Sequence, residues 1–218
     1  MKRILVGLVA SLLLTGAASA AEPANAPSWR DFEGVENTSF VEADGKRVLQ
    51  LSIVVKASPE EVYKAFTTAE GFKTWATPVA WVDMRVGGVI ETSYNPDARQ
   101  GDPENIKNRI EAYIPGRLLV IRNVQAPSGL KGRELFGQTV SISQFEDLGD
   151  GRTRVTITGV GYGTGGDFDV LYGHFEWGNA YSLAALKRRF DEGPIDWASV
   201  FEKQRAAAAA RKVQGQQP

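Results

Sequence analysis

The sequence contains no cysteine, which removes disulfide frameworks, thiolate metal sites and cysteine nucleophiles together. A chain of this size can fold around its own hydrophobic core without such staples. Histidine is nearly absent too. His174 is the single one among 218 residues, and no acidic cluster stands near it at a spacing that would hold a metal. The nucleophile-elbow pattern G-x-S-x-G is missing, so no serine is set up for acyl transfer. An excess of one charge is also missing. Lys and Arg number 25 against 26 Asp and Glu, for a net charge of −1, a balance that gives no reason to expect nucleic acid or an anionic membrane surface as partner.

What is present begins with a leader. Lys2 and Arg3 form a positive n-region, Ile4 to Leu14 an apolar h-region, and Ala18-Ser19-Ala20 an A-x-A cleavage signal. The apolar run is short for a bilayer span and ends in small residues, so residues 1–20 read as a signal peptide cut between Ala20 and Ala21. With no cysteine to acylate and no twin-arginine pair, general secretion is expected, placing the mature protein in the periplasm or outside the cell with no membrane span left. The remaining chain, about 200 residues long, suits a single domain.

Residues 21–36 read as a Pro- and Ala-rich lead-in, 37–192 as the folded domain, and 193–218 as an extra C-terminal helix with a disordered tail. Ser39 to Val41 and Val48 to Lys56 flank Asp44-Gly45, a hairpin signal. Leu49, Leu51, Ile53 and Val55 alternate with Gln50, Ser52 and Lys56, so one face of that strand is buried. Ser58-Pro59-Glu60-Glu61 opens a helix with a capping box, and a second short helix starts near Thr68. Six strand candidates follow between Val79 and Val160, separated by turns at Gly87-Gly88, Asn95-Pro96-Asp97, Pro115-Gly116 and Gly149-Asp150-Gly151. Asp167 to Phe190 carries an apolar and aromatic stripe at helical spacing. Gly193-Pro194 stops it, and the last helix is expected to dock through Trp197, Val200 and Phe201.

These elements make an α+β arrangement in which an antiparallel sheet and a long helix must cover each other. The order strand, two helices, six strands, long helix resembles the helix-grip fold of the START-like (SRPBCC, Bet v 1-like) superfamily. Locally, Ala57 to Phe66, Trp75, Asp83 to Gly88, Tyr113 to Val120 and Trp177 to Leu186 resemble the family related to the C-terminal domain of the activator of Hsp90 ATPase. The resemblance runs from about Leu49 to Phe190. It implies a curved sheet wrapped around the long helix and carries no catalytic signature and no cofactor. The leader, the loop Gln125 to Gly137 and the C-terminal helix depart from it.

A space left between sheet and helix, lined by aromatics with a few polar groups, would be a small-molecule site. Its expected lining is Trp75, Trp81, Tyr94, Arg109, Phe136, Phe168, Tyr172 and Phe175, with Phe136 on a glycine-rich loop able to close over it. The expected occupant is a small apolar or amphipathic molecule; the oligomeric state is not readable. Arg109 has a second reading: it shares a strand face with Glu111, with Arg122 and Glu91 on other strands, and that face is then a solvated outer one carrying cross-strand ion pairs. A cavity enzyme of the cyclase, dehydratase or hydrolase kind, as the resemblance allows, would need an acid or base there, with Glu91, Arg109, Tyr172 and His174 as candidates. A chaperone-activating role is the third reading, and the leader argues against it. Gly161-Tyr162-Gly163-Thr164-Gly165-Gly166 fits G-x-G-x-x-G, but no second strand with a ribose-binding acid follows, so it reads as a connector.

Overall fold

The computed structural model describes residues 28–214; the leader and its cleavage site lie outside the described residues. Nine strands form one antiparallel sheet: β1 (Glu36–Asn37), β2 (Phe40–Val41), β3 (Arg47–Val55), β4 (Val79–Val82), β5 (Val89–Ser93), β6 (Ile106–Ile114), β7 (Leu118–Gln125), β8 (Val140–Gly149) and β9 (Arg152–Tyr162). The spatial order is β1-β3-β9-β8-β7-β6-β5-β4, with β2 also on β3. Two short helices, α1 (Pro59–Thr67) and α2 (Ala69–Lys73), follow β3, and the long α3 (Gly166–Glu192) follows β9. The long strand β3 thus pairs with the last strand, β9, which brings the start of the domain beside the strand that leads into α3.

Local chemistry starts and stops these elements where the sequence indicates. The Ser58 hydroxyl accepts from the Glu61 amide at 3.4 Å, and the Glu61 carboxylate accepts from the Ser58 amide at 3.0 Å, a complete capping box with Pro59 at the first helical position. Thr68 ends α1 and caps α2 by accepting from the Gly71 amide. Gly193, at a φ of 104°, ends α3. A last helix, α4 (Trp197–Gln214), begins beyond Asp196, whose carboxylate accepts from the Ser199 amide, and Trp197 stacks on Phe201 within it.

On β3 and β9 the period-two pattern holds. Leu49, Leu51, Ile53 and Val55 face Gly159, Ile157, Val155 and Thr153 across the ladder and are almost wholly buried. From the helix, Leu171, Leu183 and Leu186 are fully buried in the same core, each worth about 2 kcal/mol of apolar burial. α3 packs along β3 and, less closely, β9. The other half of the sheet is covered by different pieces: α2 against β4, and a 3-10 turn at Arg133–Gln138 against β7.

The stretch expected as loose lead-in is structured from Ser28 onward. Ser28 and Asp31 cap a 3-10 turn, and Phe32 lies against Trp177 and Tyr181 of α3 at 6.4 and 6.1 Å between ring centroids. Phe32 thereby covers the Trp177 and Tyr181 rings of α3.

Candidate functional site

Register decides which side chains lie on the sheet face that turns toward α3. β4 pairs with β5 as Val82↔Ile90 and Trp81↔Glu91, and β5 with β6 as Ile90↔Asn108 and Val89↔Arg109. Ile90 and Ile110 belong to the buried core, so they mark the concave face. Trp81, Glu91 and Arg109 therefore point the other way. This corrects the expectation for Trp81 and Arg109: a strand alternates faces, and both fall on the odd side. Arg109 donates to Glu111 from Nε at 3.0 Å and from Nη2 at 2.8 Å, and Arg122 approaches the same carboxylate at 3.4 Å. It is the solvated ion-pair face, not an anion anchor inside.

Glu91 is buried on that outer side, yet it is partnered. Its Oε1 accepts from the Gly101 amide and from Asn105 Nδ2, both at 2.7 Å, with Lys107 at 3.9 Å. The carboxylate pins the loop 95–105 to the sheet. It neither faces α3 nor lacks partners, so it does not supply an acid or base to the concave side. His174 is exposed on the outside of α3 with Phe175 beside it; desolvation by surrounding protein lowers its pKa. Among the described residues, no group of three acidic or histidine side chains could hold a metal, and no helix is long and apolar enough to cross a membrane.

Three expected residues do come together. Phe136 is buried against Phe175 at 4.9 Å, and Tyr162 meets Tyr172 at 5.4 Å and Phe175 at 6.1 Å. Tyr162 is the member the sequence reading placed only within the glycine-rich connector. The Arg133–Gln138 turn is thus closed onto α3 through Phe136. Arg47 ties the same end together. Its Nε and Nη2 donate to the Gly163 carbonyl at 3.0 and 2.7 Å, its Nη1 pairs with Asp169 at 2.8 Å, and its guanidinium lies 4.5 Å from the centre of the Tyr172 ring. Phe168 folds over Gly163 instead of joining the cluster. The connector's Gly161 sits against the Gln138 carbonyl, where a β-carbon would not fit, so its glycines serve chain packing.

Trp75 belongs to a separate corner. It is buried, donates from Nε1 to the Ala65 carbonyl at 3.0 Å and packs on Phe66 and Phe72. It is core between α1 and α2, not the wall of an open space. Tyr94 is half exposed and lines a surface recess of about 190 Å³ with Ser93, Asn105, Ile106 and Pro127.

The sequence reading missed the polar composition of the concave face. By register, Thr92, Asn108, Asn123, Ser141 and Ser143 of β5 to β8 share the face of Ile90, Ile110, Ile121 and Leu119. The opposing half, on β3 and β9, is nearly all apolar. Three buried side-chain atoms lack a hydrogen-bond partner among the described residues: Tyr63 Oη, Asn123 Oδ1 and Arg189 Nε. Tyr63 packs edge-on against the inward-facing Phe145. Arg189 falls five turns after Leu171 on the same buried face of α3. Burying a polar atom unpaired is costly, and the three atoms belong to α1, β7 and α3.

A family model described as Activator of Hsp90 ATPase homolog 1-like protein matches residues 56–191. No curated protein matches the chain. Among solved structures, the Aha1 dimer from Colwellia psychrerythraea is similar at 25% identity and a TM-score of 0.51, over 67% of this chain and 97% of that one. A protein from Mesorhizobium loti (17% identity, TM-score 0.53, 68% of this chain and all of that one) and one from Rhodobacter sphaeroides (18%, 0.53, 73% and 96%) share the fold. With the antiparallel meander, the long helix and the matched segment all agreeing, the chain belongs to the Activator of Hsp90 ATPase homolog 1-like protein family, a START-like helix-grip group.

Proposed function

We propose that this domain is exported and binds a small amphipathic molecule on the concave face of β5 to β8, beside α3 and under the Arg133–Gln138 turn. The observation that carries the reading is the polar set on that face, together with the buried and unpaired Asn123 Oδ1. A face meant only to pack against a helix is apolar, as β3 and β9 are; a small-molecule site combines apolar walls with a few placed polar groups. The aromatic group of Phe136, Tyr162, Tyr172 and Phe175 supplies the apolar wall. Export rests on the n-region, h-region and A-x-A signal of residues 1–20.

Native mass spectrometry of the protein taken from its own host's periplasmic fraction tests both parts. The expected result is a mature chain beginning at Ala21 with a co-purified small molecule. A chain retained in the cytoplasm with its leader, or one that never carries a ligand, overturns the corresponding half. The family description and the similarity to Aha1 favour a second reading, a chaperone as protein partner; a chaperone captured with the full-length chain in the cytoplasm would replace the first.

A further inference from the structure

We infer that the ligand is anchored at Asn123 and presents to it a neutral hydrogen-bond donor, a hydroxyl on an otherwise apolar molecule. This rests on the concave-face reading above and names the chemistry of that site. Asn123 Nδ2 donates to the Gln125 carbonyl and to Asn108 Oδ1, both at 3.1 Å. A backbone carbonyl can only accept, so the Gln125 carbonyl fixes which end of the amide carries the hydrogens. The two asparagines could otherwise exchange roles. Oδ1 is thereby turned away from both partners; it is buried, without a donor, and on the concave face.

The missing partner must donate, and it must do so without charge. The acids of the neighbouring strands are committed elsewhere: Glu91 holds the 95–105 loop, Glu111 takes Arg109 and Arg122, and Glu146 pairs with Arg154. No carboxylate shares the face of Asn123 on β5, β6 or β7, so an ammonium there would be a buried charge without compensation. A hydroxyl meets the acceptor and leaves the rest of the molecule to the partly exposed Ile121, since Ile90 and Ile110 are already fully covered by the protein.

Three probes of one shape separate the possibilities: 2-naphthol, 2-methoxynaphthalene and 2-naphthoate, titrated calorimetrically into the full mature chain. The expected result is about tenfold tighter binding of the naphthol than of its methyl ether, the effect of losing one hydrogen bond to a buried acceptor. In Asn123→Leu that advantage disappears while the ether is unaffected. The comparison within the native chain needs no variant, so it stands even where Asn123→Leu folds poorly. Equal affinity for naphthol and ether means that Asn123 is satisfied by water; it overturns the anchor and leaves the concave-face reading intact. Tightest binding by the naphthoate moves the anchor to a cation such as Arg189 and likewise overturns it. Failure of all three probes to bind overturns the site and the anchor together.

Discussion

The ring of Tyr162 lies directly over Gly159, close enough that a β-carbon at Gly159 would sit 2.8 Å from its Cε2. The residue two positions earlier on β9, Ile157, carries an ordinary side chain into the core; at Gly159 the tyrosine fills that place. Because Tyr162 is itself held by Tyr172 and Phe175, it cannot swing aside cheaply. Gly159→Ala is expected to destabilise the domain by about 1–3 kcal/mol through overpacking. Urea denaturation measures this, and pairing it with Tyr162→Leu should restore part of the loss.

Two buried phenols give the domain an alkaline limit. Burial raises the Tyr162 hydroxyl well above its ordinary pKa, with Tyr172 adding to the effect, and burial also raises Tyr63, aided by Tyr113. Each is held neutral in the fold, while the unfolded chain ionises near pH 10. Their contribution is therefore complete below about pH 10 and is lost as pH rises from there toward the folded values. Urea midpoints across this range should fall less steeply in Tyr162→Phe than in the native chain. At neutral pH, Tyr63→Phe removes a hydroxyl that has no partner and should be neutral or stabilising by up to about 1 kcal/mol.

Glu91 is predicted to be structural. Glu91→Ala leaves the buried Asn105 amide and the Gly101 N–H without their acceptor and should cost about 3 kcal/mol. Glu91→Gln keeps one acceptor oxygen and should cost about 1 kcal/mol. Amide exchange at Gly101 reads the loop directly, and an unchanged rate in Glu91→Ala would contradict this role.

Arg47 uses the planar fork of its guanidinium on three partners at once. Arg47→Lys keeps the charge and loses the shared donation to Gly163 and the stacking on Tyr172. A loss of about 1–2 kcal/mol is expected, read as a lower midpoint of thermal unfolding.

The fold was legible because its signals are local. The alternation from Leu49 to Val55, the capping box of Ser58 and Glu61 and the turn glycines each act within a few residues. The side chains around the site were less legible because their direction depends on strand pairing. Trp81 and Arg109 looked like candidates by residue type, and only the pairings Trp81↔Glu91 and Val89↔Arg109 turn them outward. Phe136, Tyr172 and Phe175 could be named in advance because aromatic spacing on a helix and a glycine-rich loop are visible signals, and the structure packs Phe136 on Phe175 and sets Tyr162 against both Tyr172 and Phe175. Asn123 gave none. An asparagine in a strand is unremarked until the Gln125 carbonyl and Asn108 are seen to occupy its amide and strand its oxygen.

The uneven packing of α3 has a dynamic consequence. With the helix resting on β3 and β9 and touching the rest of the sheet far less, amide exchange is expected to be faster at the β4–β6 end than in β3, β9 and α3. Under the ligand-binding proposal, such a division would keep one half of the molecule rigid, and a bound guest would show itself as slowed exchange in β5 and β6 first.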